Sequence, residues 1–247
     1  MNDPHVASLQ YRVIKSDNYI FQDPPDIDIN TNDFNGCLSN GVLTLKPKEH
    51  YHSDELIRQI AEKFIRTWEM ATSLRYGNRE FRFEFVGSDI VDRNPPNGKQ
   101  PAHVDGTMHL TGSTEAIPIY KKYPIPPEDF NITSEVKVLW DRYYDYVEGS
   151  DKLPGMAYSC LSFLENGLGR KKAAIHFRIQ FEVLDTLGEL SAMRGDNATA
   201  RKFTTKTKPL SHYENVWIQS TIKAIIKHLA TRKPNQILRM DDLPDLE

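Results

Sequence analysis

The chain has 247 residues, 39% hydrophobic and 26% charged, with 31 Lys and Arg against 34 Asp and Glu for a formal net charge of -3. That balance excludes a histone-like polycation and an acidic disordered chain, and a chain of this length buries about 70% of its unfolded surface in one or two cores. No apolar run approaches the roughly 20 residues that span a bilayer, and the opening residues lack the pattern of a secretion signal. With Cys37 and Cys160 as the only cysteines there is no disulfide framework or four-cysteine metal site to expect, and a reducing cytoplasm is the natural setting.

Short β-prone runs come first, at Leu9 to Lys15 and Gly41 to Lys46, with Asn40-Gly41 as a turn signal. Between them lie Asp17, Asp23, Asp26, Asp28 and Asp33 with no cation interspersed, which reads as a surface loop or an edge segment. Ser53 is placed to cap a helix whose first turn carries Asp54 and Glu55, and Ile57, Ile60, Phe64, Trp68 and Ala71 recur at the helical period up to Gly77. Phe81, Phe83 and Phe85 alternate with Arg82 and Glu84, so three rings face one side of a strand and two charges the other. A second strand is expected through Ala102, Val104, Met108 and Leu110, forming a hairpin packed on the preceding helix.

Pro118, Pro124, Pro126 and Pro127 then break any regular pattern and mark a domain boundary. Beyond it the reading is helical: Ser134 as a cap, Pro154 in the first turn of the next helix, and one long helix from Arg170 burying Ile175, Ile179, Val183, Leu187 and Leu190. Ser211 and Glu214 have capping-box spacing ahead of Trp217, Thr221, Ile225 and His228. The expected fold class is α+β, a mixed helix and antiparallel-strand domain over 1–114 followed by an all-helical bundle of four to five helices over 133–233. A proline-rich connector occupies 115–132, and 234–247 is expected to be a frayed acidic tail.

Charge is unevenly placed. Between residues 167 and 233 there are 13 cations and five anions. One cluster, Arg170, Lys171 and Lys172, opens a helix just after Gly169, where three cations oppose the helix dipole and a bound anion would relieve them. The other contains Arg194, Arg201, Lys202, Lys206 and Lys208 in what reads as a short helix and a basic loop. Both suit contact with phosphate or nucleic acid, and both are also compatible with a solvated basic face. The Gly-x-Gly of Gly167 and Gly169 follows no strand and precedes no Lys-Ser/Thr pair, so neither a dinucleotide fingerprint nor a P-loop is present.

Arg170, five intervening residues and His176 within a helical region resemble the arginine–histidine motif of HEPN domains. The resemblance covers roughly residues 133–233. It implies a metal-independent ribonuclease acting as a homodimer, with His176 in acid–base cleavage at the 2′-hydroxyl and Arg170 stabilising the phosphorane.

Other chemistry finds less support. His103, Asp105 and His109 share strand parity, but at about 3.3 Å per residue the two histidines stand about 20 Å apart. His50 and His52 have no third ligand nearby in sequence, and Asp26-x-Asp28-x-Asn30 is followed by Thr31 and then by Cys37 where a calcium loop needs Gly and Glu. No metal or cofactor is expected. Cys160 and His176 would have to meet across helices to form a nucleophilic dyad. The expectation is therefore a non-catalytic interaction module whose C-terminal basic face binds a polyanion or a protein partner. The HEPN-like ribonuclease is the alternative, and an enzyme on a small phosphorylated substrate near Arg170 and Lys172 is a third reading.

Overall fold

The computed structural model describes residues 2–14, 20–76, 81–95, 119–193, 209–233 and 235–246. It divides into two compact units, 1–127 and 128–247, and has the α+β composition expected, with antiparallel strands first and helices after. Among the described residues no helix is long and apolar enough to cross a membrane.

The first unit is built on β1 (Pro4–Val13), β2 (Ile20–Phe21), β3 (Ile27–Asn30), β4 (Phe34–Ser39), β5 (Val42–Pro47), α1 (Asp54–Tyr76), β6 (Phe83–Asp92) and β7 (Ile119–Tyr120). Five strands form a sheet in the order β3-β4-β5-β1-β6, antiparallel throughout. Its inner face follows the period of two, with Leu43 and Leu45 buried in β5 and Leu9, Tyr11 and Val13 in β1. Val6 has the opposite parity yet is fully buried, because a register shift against β6 between Val6 and Ser8 inserts one residue and returns it to the inner face. The acidic segment does supply an edge. Asp28 in β3 lies opposite Cys37 in β4, so the residues that begin like a calcium loop form a hairpin.

Helix α1 covers this face with Ile57, Ala61, Ile65 and Trp68, one residue around from the stripe expected, while Ile60 and Phe64 flank it partly buried. Phe81 is buried and Phe83 and Phe85 pack against Trp68 and Tyr11 respectively, with the Arg58 guanidinium 4.0 Å from the Phe85 ring. The strand runs on to Asp92, well past the phenylalanines. Its expected hairpin partner, through Ala102 to Leu110, lies outside the described residues, as does Gly77.

Residues 119–127 are not a free connector. Strand β7 pairs in parallel with β2, Tyr123 is buried in the sheet core, and the Trp68 indole donates to the Pro124 carbonyl at 3.1 Å.

Glu69 ties α1 to the start of β6 by accepting the Phe83 amide at 2.7 Å. Desolvation dominates there and raises its pKa, against the opposing pull of that hydrogen bond and of Arg82 and Arg66. The folded-state value therefore lies above the unfolded one. Its favourable contribution is full below the ordinary glutamate range and is lost as pH rises through the raised value. Glu69→Gln keeps the acceptor and removes the charge. The difference in melting temperature, variant minus parent, is expected to increase with pH from the ordinary glutamate range upward, and a flat difference would contradict this sign.

The second unit contains α2 (Ser134–Val147), α3 (Leu153–Glu165), α4 (Arg170–Phe177), α5 (Phe181–Met193), α6 (His212–Thr231) and a short 3-10 turn (Met240–Asp242). Thr133, one residue before the expected Ser134, caps α2 by accepting the Val136 amide. Pro154 does lie in the first turn of α3, and Ser211 with Glu214 forms the complete capping box of α6. These helices close around Met156, Leu161, Leu164, Val183, Leu187, Trp217, Ile222 and Ile226.

Two expectations need correction here. The long helix from Arg170 is two helices, because Arg178 adopts a left-handed φ of 54° and the Ile179 amide turns back to the Ala174 carbonyl. Past the break Ile179 remains buried, whereas Ile175 is 79% exposed. The tail is also not frayed as far as Asp242. Leu238 bridges Ile179, exchanging bonds with Arg178 and Gln180, and the Met240 amide donates to the Gln180 side chain. The helix break frees backbone groups at 178–180, and the tail satisfies them.

Candidate functional site

The α3–α4 corner is made by residues that tolerate left-handed backbone. Asn166, Gly167 and Gly169 have φ of 35°, 72° and 80°. Gly169 is the N-cap of α4, which begins without a capping side chain and without an acid in its first turn.

Arg170 does not join the exposed cluster expected of it. Its Nε donates to Glu165 at 2.9 Å and a terminal nitrogen donates to Asp185 at 2.6 Å. Partial burial works against its charge, but the two carboxylates prevail and hold its pKa above the ordinary value. Gly188 in α5 leaves room for the guanidinium, since a Cβ there would collide with it. Arg170 thus staples the end of α3, the start of α4 and the middle of α5. The sequence signal is Gly188 itself, a residue that costs about 1 kcal/mol inside a helix and so points to a packing reason for its presence.

The other side of α4 presents Lys171, Lys172, Ile175 and His176, all exposed. At 100° per residue these span about 140° of the helix, while Ala173, Ala174 and Phe177 turn inward with Arg170. The Lys171 ammonium lies 6.0 Å from the Phe181 ring, and His176 meets the edge of Phe177. Polarity on α4 is therefore inverted at two positions: an arginine sits on the inner side and an isoleucine sits between lysines on the outer side.

Arg170 and His176 leave the helix axis about 120° apart. To act on a phosphorane, Arg170 would have to leave both of its carboxylates. Cys160 is fully buried against Met156, its thiol pushed up to about 12 chiefly by desolvation, whereas His176 is exposed, so the structure forms no dyad between them. His228 is instead the histidine with a fixed internal role: buried, it donates from Nε2 to the Phe177 carbonyl at 3.0 Å and braces the α4–α5 turn. Arg194, Arg201, Lys202, Lys206 and Lys208 lie outside the described residues, as do His103, Asp105 and His109.

Two features of the first unit went unread in the sequence. A cleft of about 290 Å³ is lined by Phe21, Tyr76, Phe81, Tyr120 and Pro124, with Lys121 and Lys122 contributing to its wall. And His50 and His52 do acquire further partners, because the fold brings Asp3 and His5 beside them. No protein-family model, no curated protein and no solved structure matches the chain.

Proposed function

We propose that the protein is a non-catalytic interaction module whose helical unit docks a protein partner through the outer face of α4, with Ile175 as the apolar anchor and Lys171 and Lys172 as its charged rim. The observation that carries this reading is Ile175 itself, 79% exposed on a helix whose arginine faces inward. A polyanion alone has no use for an apolar side chain between two lysines. An acidic protein segment with one apolar residue matches all three, since rim charges steer the encounter and a desolvated anchor supplies the affinity.

The test is a photo-reactive residue at position 172 in cells, followed by measurement of the isolated complex with the captured partner. Ile175→Ser is expected to weaken that complex by about tenfold or more. The same change should leave the melting temperature almost unmoved, because surface substitutions fall within about 0.5 kcal/mol. Lys171→Glu with Lys172→Glu is expected to weaken it further and to reduce its salt dependence. Salt-sensitive binding of single-stranded RNA that needs the lysines but ignores Ile175→Ser would replace this reading with the polyanion one. RNA cleavage in the presence of chelator, abolished by His176→Ala, would replace it with the HEPN-like ribonuclease.

A further inference from the structure

We propose that Asp3, His50 and His52 form a binding site for a divalent transition-metal cation of the zinc type, with His5 as the residue that positions His50. The ligand atoms come from two segments, the residue just before β1 and the loop joining β5 to α1. His50 Nε2 lies 3.3 Å from Asp3 Oδ1 and 3.3 Å from His52 Nδ1, and all three atoms fall within 4.8 Å of one another. A tetrahedral zinc ion with bonds of about 2.0–2.1 Å sets its ligand atoms about 3.3–3.4 Å apart, so two of the three edges already have the required length.

The donor set selects the kind of cation. Two imidazole nitrogens and one carboxylate oxygen suit zinc and its neighbours, whereas calcium and magnesium demand oxygen throughout. Three protein ligands leave a fourth position facing solvent, because His50 and His52 are exposed and Asp3 is partly so.

Both segments are anchored beside the ligands. The Val6 amide donates to the Tyr51 carbonyl at 2.9 Å, which fixes the peptide between the two histidines. The Asn2 and Asp3 amides donate to the Asp92 carboxylate, and the Arg93 amide donates to the Asp3 carbonyl. Such support on either side keeps a site within the tolerance that coordination needs. His5 supplies the outer contact. Its ring stacks on His50 with centroids 4.9 Å apart, and the two Nδ1 atoms are 3.0 Å apart. When His50 carries its proton on Nδ1 and donates it to His5, its Nε2 keeps the lone pair that faces Asp3 and His52. That is how an outer partner fixes the tautomer of a metal-bound histidine.

The experiment uses the full chain without an affinity tag, stripped of metal by chelator and titrated with zinc against a chromophoric competitor. Cobalt absorption reports coordination geometry independently. The expected result is one ion per chain, bound at micromolar zinc or tighter, a cobalt spectrum of tetrahedral type, and a melting temperature raised by zinc. His50→Ala with His52→Ala abolishes binding, and Asp3→Asn weakens it at least about tenfold. His5→Ala lowers affinity about 10–100-fold while leaving the stoichiometry at one, as an outer partner does. His212→Ala, at the start of α6, changes nothing. Circular dichroism checks that each variant is folded, and the wild-type titration stands by itself if one is not. Failure of the wild type to bind at micromolar zinc overturns the proposal, as does binding that survives the double histidine variant. Neither outcome touches the docking face of α4.

Discussion

Trp68→Ala is expected to destabilise the first unit by about 3–5 kcal/mol, the range for removing a large buried aromatic ring. Trp68 is fully buried on α1, within 6 Å of the rings of Phe64, Phe81 and Phe83. It joins the helix to Phe81 and to Phe83 at the start of β6 and, through its indole N–H, to the Pro124 carbonyl. The informative comparison is Trp68→Phe. It retains most of the ring volume but deprives the part-buried Pro124 carbonyl of its donor, and loss of such a hydrogen bond costs about 0.5–1.5 kcal/mol beyond the lost packing. Urea denaturation of the three proteins checks both values, with the phenylalanine variant expected clearly below the wild type and clearly above the alanine variant.

Trp217→Ala is expected to cost the second unit a similar amount, about 3–5 kcal/mol, since this tryptophan is also fully buried. Here the conservative change should behave differently. The Trp217 Nε1 is buried with no hydrogen-bond partner among the described residues, and so is the Thr221 hydroxyl one turn further along α6. Trp217→Phe loses some packing but also removes an unsatisfied donor, and these effects oppose one another. The expected net change is within about 1 kcal/mol, smaller than for Trp68→Phe. Equal costs at the two sites would show that the indole N–H groups do not differ in partnership as the structure has them.

The docking reading of α4 rests on a feature that periodicity concealed. A continuous helix from Arg170 places Ile175, Ile179 and Val183 on one buried stripe, and the pattern is satisfied so well that nothing suggests a break. Helices usually signal such a stop with glycine. At position 178 the left-handed residue is an arginine, so the signal is missing and the stripe misassigns Ile175 to the core. The capping box of α6 was legible because both partners lie three residues apart and act on the local backbone. The alternation of Phe81, Phe83 and Phe85 was legible for the same reason, being a property of one strand.

Arg170 illustrates the limit for charge. Its place in a run of three cations suggests an exposed anion site, but its partners are Glu165 in the preceding helix and Asp185 in the following one. Counting charges along the chain registers the cation and misses the neutralisation, because the carboxylates converge only once the helices pack. The histidine cluster shows the opposite error. His50 and His52 look incomplete as ligands, yet the Asp3 carboxylate, from the opening of the unit's sequence, lies 3.3 Å from His50 Nε2.

From residue order alone came the α+β class, the separation of strands from helices, the capping box of α6, the proline in the first turn of α3 and the absence of a dinucleotide fingerprint or P-loop. Each depends on interactions within a turn or a strand, whose periods of 3.6 and 2 are written directly into the spacing of apolar side chains. Packing decided which cation is neutralised, which isoleucine faces solvent, and which imidazoles gather at the start of β1. Those outcomes depend on contacts between segments far apart in the chain, and hydrophobic burial selects which segments meet without regard to the polar groups they carry along.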